Sequence, residues 1–241
     1  MIFMHTFPIA FSSCGQTLRA LGYGPDSGVA GGVRAILIHG YSSSKHAMDL
    51  IATSLAEAGH PVVSLDLPGH KLGSSGGALI SFNMVVQAAL DANYKLPSPC
   101  RPVYIGHSMG AAGALVAASQ DQYALGAVSL GLGYPVTVKR SDSQVIHYYL
   151  ERWGWVDGAS PLEVGLAMDK AIPSALEQLA GRHFMLISGT LDRELPPFSA
   201  QTLFDMAKDP KVHEEIETDH DGIPRQSAEL VVQWINRITK P

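Results

Sequence analysis

The chain has 241 residues, 46% hydrophobic and 16% charged, with 24 glycines and a formal net charge of −5. That is ample apolar material for one large domain, and an acidic chain without a basic run excludes nucleic acid as a partner, because phosphate binding needs clustered Lys and Arg. No apolar run approaches the ~20 residues of a membrane span. Two distant cysteines, Cys14 and Cys100, form no disulfide framework and fit a cytoplasmic setting.

In chain order, strand-like runs alternate with helical stretches, the pattern of parallel βαβ units. Met1 to Phe11 is apolar but lacks the basic lead of a signal peptide. It reads instead as structure: Phe7 to Phe11 and Thr17 to Tyr23 form an antiparallel hairpin turning at Cys14-Gly15-Gln16. Ala35 to His39 is a strand, and Ser44 caps a helix over Lys45 to Ala58. Strand Pro61 to Leu65, helix Ser81 to Tyr94, strand Val103 to Gly106, helix Met109 to Ser119 and strand Gly126 to Leu130 follow.

From Tyr134 to about Gly181 the rhythm breaks, in a stretch carrying Tyr148, Tyr149, Trp153 and Trp155 and a helix near Pro161 to Leu179. This reads as a lid inserted over the C-terminal edge of the sheet, where binding elements accumulate. Its aromatics either line a pocket or fasten the lid to the body. The alternation resumes with strand His183 to Ser188, helix Phe198 to Ala207, strand Val212 to Glu217 and helix Pro224 to Ile238. The expected fold is a single α/β domain over residues 1–241. It has a mostly parallel sheet of about eight strands, an N-terminal antiparallel hairpin, helices on both faces and a small lid at about 134–181.

Gly106-His107-Ser108-Met109-Gly110 joins a predicted strand to a predicted helix, the context that makes this spacing a nucleophile turn. A sharp turn strains the serine backbone and leaves no room for side chains two residues before or after it. The following helix aims unpaired N–H groups at Ser108, and Met109 N–H is one oxyanion donor. A serine nucleophile needs a histidine base and a carboxylate that orients it, in the order Ser, acid, His in this fold.

With Ile36-Leu37-Ile38-His39-Gly40-Tyr41 ending an early strand in a His-Gly turn, the chain resembles the α/β-hydrolase superfamily, its carboxylesterase, monoacylglycerol-lipase-like and proline-iminopeptidase-like members in particular. The resemblance implies that Tyr41 N–H is the second oxyanion donor and that His39 orders the turn. Asp66-Leu67-Pro68-Gly69-His70 looks like a loop of the same superfamily, although Lys71 stands where Gly is usual, and both readings assign it to loop architecture. Of ten histidines, His220 alone follows the last predicted strand, where the superfamily places its base. Ser188-Gly189-Thr190-Leu191-Asp192-Arg193-Glu194-Leu195-Pro196 resembles its acid loop, with Asp192 at the matching position and Glu194 as the main competitor.

The expectation is therefore a serine hydrolase with Ser108, Asp192 and His220 as triad, needing no cofactor and no metal. His213 and His220 straddle a strand end without a recognised ligand spacing. Its substrate is expected to be a small-molecule carboxylic ester with a small to medium acyl group, aromatic groups included. A peptidase, thioesterase, C–C bond hydrolase or acyltransferase uses the same triad, and a non-catalytic receptor can share the fold.

Overall fold

The structure, a computed structural model, describes residues 4–25, 32–95, 100–137, 147, 150–196 and 198–239. Its strands are β1 (Met4–Ser13), β2 (Gln16–Pro25), β3 (Val33–Ile38), β4 (Val62–Leu65), β5 (Arg101–His107), β6 (Gly126–Leu130), β7 (His183–Gly189) and β8 (Lys211–Ile216). They form one eight-stranded sheet in the order β1-β2-β4-β3-β5-β6-β7-β8. β1 pairs with β2, and β2 with β4, antiparallel; every later pairing is parallel. The expected α/β architecture and entry hairpin are both present.

β3, β4 and β6 are buried along their full length, as strands covered on both faces must be. Alternate side chains feed two separate cores. Ile36, Ile38, Val63, Leu65, Tyr104 and Phe184 face one side; Ala35, Leu37, Val62, Ile105, Val128 and Ile187 face the other. The first core is closed by α2 (Phe82–Asn93), α3 (Met109–Gln120), α4 (Pro161–Gln178) and α5 (Ser199–Met206), the second by α1 (Asp49–Glu57) and α7 (Ala228–Ile238). α3 is buried from Met109 to Ala118 on all sides. Its glycines and alanines suit a helix wedged between the sheet and the neighbouring helices.

Two helix ends differ from the sequence expectation. Ser44 makes no capping bond, and the first turn, Lys45–Met48, is a 3-10 helix leading into α1. The Ala47 N–H, which a Ser44 side chain would cap, bonds to the Ser44 carbonyl instead at 3.1 Å, and the Lys45 N–H goes to Asp66 Oδ1 at 2.8 Å. The last helix is two pieces, α6 (Ile223–Gln226) and α7, interrupted at Ser227.

α4 starts as its sequence dictates. Ser160 and Glu163 form a reciprocal capping box, and Pro161 occupies the first turn, where no N–H is needed. Val164, Met168, Ile172 and Leu176 bury one face of α4 in the first core. The stretch at 155–159 is laced to the loop at 69–79. Lys71 N donates to Trp155 O, Asp157 N to Gly69 O and Ala159 N to Leu79 O at 3.0, 2.9 and 2.7 Å. Tyr148 and Tyr149 lie outside the described residues.

Candidate active site

The parallel strands all deliver their C-terminal ends to one edge, and the switch in strand order around β3 opens a crevice there. Ile38, Gly106, Ser129 and Leu186 share one row across β3, β5, β6 and β7, just below that crevice. Ser108 follows β5 with φ 54° and ψ −118°. A non-glycine residue held there stores strain of roughly 1–3 kcal/mol, sustained by its surroundings. A Cβ on Gly106 would strike the Gly110 carbonyl, and one on Gly110 the carbonyls of Ile38 and His39. Both glycines are thus demanded by backbone, not by side chains that could move aside.

His220 lies in the turn after β8. Its Nδ1 meets Asp192 Oδ2 at 2.6 Å, and the two side chains are 4% and 3% exposed. Asp192 Oδ1 accepts the N–H groups of Glu194 and Leu195 at 2.8 and 3.2 Å, so the carboxylate is aimed by its own loop. Burial pushes the Asp192 carboxyl up, but the His220 contact and those two N–H groups bring it below its ordinary value. For His220 burial acts downward, and the Asp192 hydrogen bond, with the charges of Glu194, Asp192 and Asp221, carries it above the ordinary imidazole value.

Ser108 and His220 line the same cavity, yet His220 Nε2 makes no hydrogen bond to it or to any other described group. Nε2 instead faces Glu194 Oε2 at 3.6 Å. The two acids considered from the sequence thus divide the ring: Asp192 takes Nδ1, and Glu194 stands off Nε2.

The other histidines near the site are structural in geometry. His39 Nδ1 donates to Gly40 O at 2.7 Å and Nε2 accepts from Leu67 N at 3.0 Å, and burial pushes this imidazole down to about 3. His107 is pushed to about 3 by burial and the adjacent His220. Its Nε2 donates to the His220 carbonyl at 3.0 Å, and the two rings lie 4.8 Å apart. Asp66 is spent on the loop. Burial raises its carboxyl, but bonds from Lys45 and Ser74 overcome that and bring it down to about 2.

The cavity holds about 450 Å³ and is lined by Tyr41, Ser108, Met109, Glu194 and His220 at one end. Val136, Leu150, Trp153, Leu162, Val164, Met168 and Leu195 supply apolar walls. The Tyr41 hydroxyl donates to Ala159 O at 2.8 Å, which ties the turn after β3 to the segment above it. Arg152 stands between Leu150 and Trp153, which line the cavity. It reaches Ser42 Oγ, Glu194 Oε1 and Asp221 Oδ2 at 3.4, 3.3 and 3.3 Å, touching the loops after β3, β7 and β8 at once.

Residues 35–234 match the alpha/beta hydrolase family. The chain belongs to that family. No curated protein matches it in sequence. Among solved structures, a cold-adapted esterase from an Arctic intertidal metagenomic library is similar at 16% identity and TM-score 0.71, over 98% of this chain and 95% of that one. The thioesterase domain from the curacin biosynthetic pathway aligns at 15% identity and TM-score 0.69, over 97% and 99%. Dienelactone hydrolase from Anabaena variabilis aligns at 18% and 0.68, over 97% and 98%. At these identities the likeness is one of fold.

This alpha/beta hydrolase chain brings all five sequence candidates, Ser108, Asp192, His220, Tyr41 and Met109, to one place; the first and the last three of them border the cavity directly. Trp153 borders the cavity, whereas Trp155 is half-exposed and joins the loop at 69–79 through its backbone. Sequence reasoning missed Arg152 and His107 as neighbours of the site. His107 was visible as the residue before the serine; Arg152 carried no local signal. Among the described residues no helix is long and apolar enough to cross a membrane, and no group of three or more His, Cys, Asp or Glu could hold a metal.

Proposed function

We propose that this protein is a serine hydrolase that cleaves a carboxylic ester through an acyl-enzyme on Ser108. The observation that carries the reading is the buried Asp192–His220 pair, whose unspent Nε2 shares a cavity with a strained serine. In this reading Nε2 takes the Ser108 proton as Oγ attacks the acyl carbon. The N–H groups of Tyr41 and Met109 receive the developing oxyanion, and Nε2 returns the proton to the departing alcohol. Water, deprotonated by the same Nε2, then releases the acid and frees Ser108. Asp192 holds the proton on Nδ1 and stabilises the imidazolium. The Ser–His hydrogen bond is one that tightens when substrate fills the site.

A cavity of about 450 Å³ with apolar walls accommodates a small to medium acyl group, aromatic ones included. The test joins a fluorophosphonate probe to a p-nitrophenyl ester series with thioester and amide analogues. Wild type is expected to label and to prefer short and medium esters. Ser108→Ala should not label and should lose about 10⁴-fold or more in kcat/KM. A folded wild type that neither labels nor hydrolyses overturns the proposal and favours a ligand receptor; preference for the thioester or amide arm replaces the ester.

A further inference from the structure

Glu194 occupies a place that the ester mechanism does not use. Its Oε2 lies 3.6 Å from His220 Nε2, the atom that must accept the Ser108 proton, and its Oε1 lies 3.3 Å from Arg152. A neutral imidazole with its proton on Nδ1, toward Asp192, would present an Nε2 lone pair to a carboxylate oxygen. Two acceptors face each other only at an electrostatic cost, whereas a protonated Nε2 makes the same geometry attractive. Among the described residues, Nε2 is buried with no hydrogen-bond partner, and Glu194 is the acceptor that faces it.

Charged and titratable groups surround the ring from four directions. Asp192 and Glu194 approach from the loop after β7, and Asp221 from the ring's own turn. His107, from β5, lies against it as a neutral ring tilted by 45°. Arg152, above, bridges Glu194 and Asp221. Asp192 engages Nδ1 whether or not Nε2 carries a proton. Among the described residues, Glu194 competes with Ser108 for Nε2, and Arg152 competes with His220 for Glu194.

Accepting the serine-hydrolase reading, we propose that Glu194 is a positioning residue that holds a proton on His220 Nε2 in the resting protein, and that Arg152, by drawing Glu194 toward itself, frees the base for Ser108. The proton is bound to Nε2 from solvent and returned to solvent; no covalent bond forms with Glu194. Because Arg152 stands between the cavity-lining Leu150 and Trp153, its placement bears on the readiness of the base.

The experiment is a ¹⁵N-histidine NMR titration of the full chain. The His220 signals are identified by their loss in His220→Gln, and the pH dependence of kcat/KM for a neutral p-nitrophenyl ester is measured beside it. In Glu194→Gln the His220 midpoint is expected to fall by about one unit, the shift of an opposite charge at this range. The same variant then gains about ten-fold in kcat/KM over wild type on the acid limb. Arg152→Gln should move the midpoint the other way, and the double variant should follow Glu194→Gln. Glu194→Ala stands in should Glu194→Gln fail to fold. The proposal is overturned by a midpoint that Glu194→Gln leaves in place, or by an Arg152→Gln shift that persists without Glu194. The titration is read without turnover, so a protein that hydrolyses no ester defeats the functional reading while the NMR arm still decides the role of Glu194.

Discussion

Three histidines within the site region are driven to different protonation states by what touches them. His39 and His107 each offer one nitrogen to a carbonyl and sit in apolar burial, which holds both near 3. His220, equally buried, is held up by carboxylates. For His39 and His107 the folded value lies below the unfolded one, so the unfolded chain binds protons first as pH falls. Stability is therefore full above about 6.5 and is lost between 6.5 and 3, on the order of 1 kcal/mol per pH unit for each ring. His220 has the opposite sign: its contribution is fully present below 6.5 and is lost as pH rises through its raised value, so it leaves the slope between 6.5 and 3 unchanged. The net expectation is a melting temperature that drops from pH 6.5 to 4, read by calorimetry; His39→Gln should flatten the slope. Activity has its own sign: in the proposed mechanism Nε2 must be unprotonated to accept from Ser108, so kcat/KM should rise with pH through a midpoint above 6.5.

At the level of elements, the nucleophile turn shows why two glycines frame Ser108. Gly110→Ala places a methyl against the backbone carbonyls of Ile38, the last residue of β3, and His39, which cannot rotate away as a side chain could. The expected cost is about 3 kcal/mol, at or above the upper range of overpacking, and is visible as a lower denaturant midpoint together with lost probe labelling. This turn was legible from sequence because strand, small residues, serine and helix are contiguous. In the loop after β7 the sequence pointed to Asp192 as the acid, with Glu194 as its main competitor. What separates them is the backbone N–H of Glu194 itself, which bonds to Asp192 Oδ1 and leaves the Glu194 side chain on the other flank of the ring. The missed features are tertiary in the same way. Asp66 takes the Lys45 N–H at the start of the first helical turn, from 21 residues away. Arg152 meets partners 42 and 69 residues later in the chain, and no local pattern encodes such a meeting.

Over the whole molecule, the cavity is built where two layers meet: the sheet edge supplies the polar end, and α4 with the segment above supplies the apolar walls. Met168 belongs to both the first core and the cavity lining. Met168→Trp should shorten the cavity from its apolar side, leaving acetyl ester hydrolysis nearly intact while hexanoyl hydrolysis falls about ten-fold. A chain-length profile measures the change directly. Ser108 and His220 are also suspended very differently. β5, which carries the serine, has strands on both sides, whereas β8, which carries the histidine, pairs with β7 alone and is only partly buried. Edge elements open at lower free energy than central ones. Amide hydrogens of β8 should therefore exchange before those of β5, and in a denaturant series turnover should vanish ahead of the tryptophan fluorescence change. The protein would then go catalytically silent while still folded, its histidine anchorage the weakest link in an otherwise intact body.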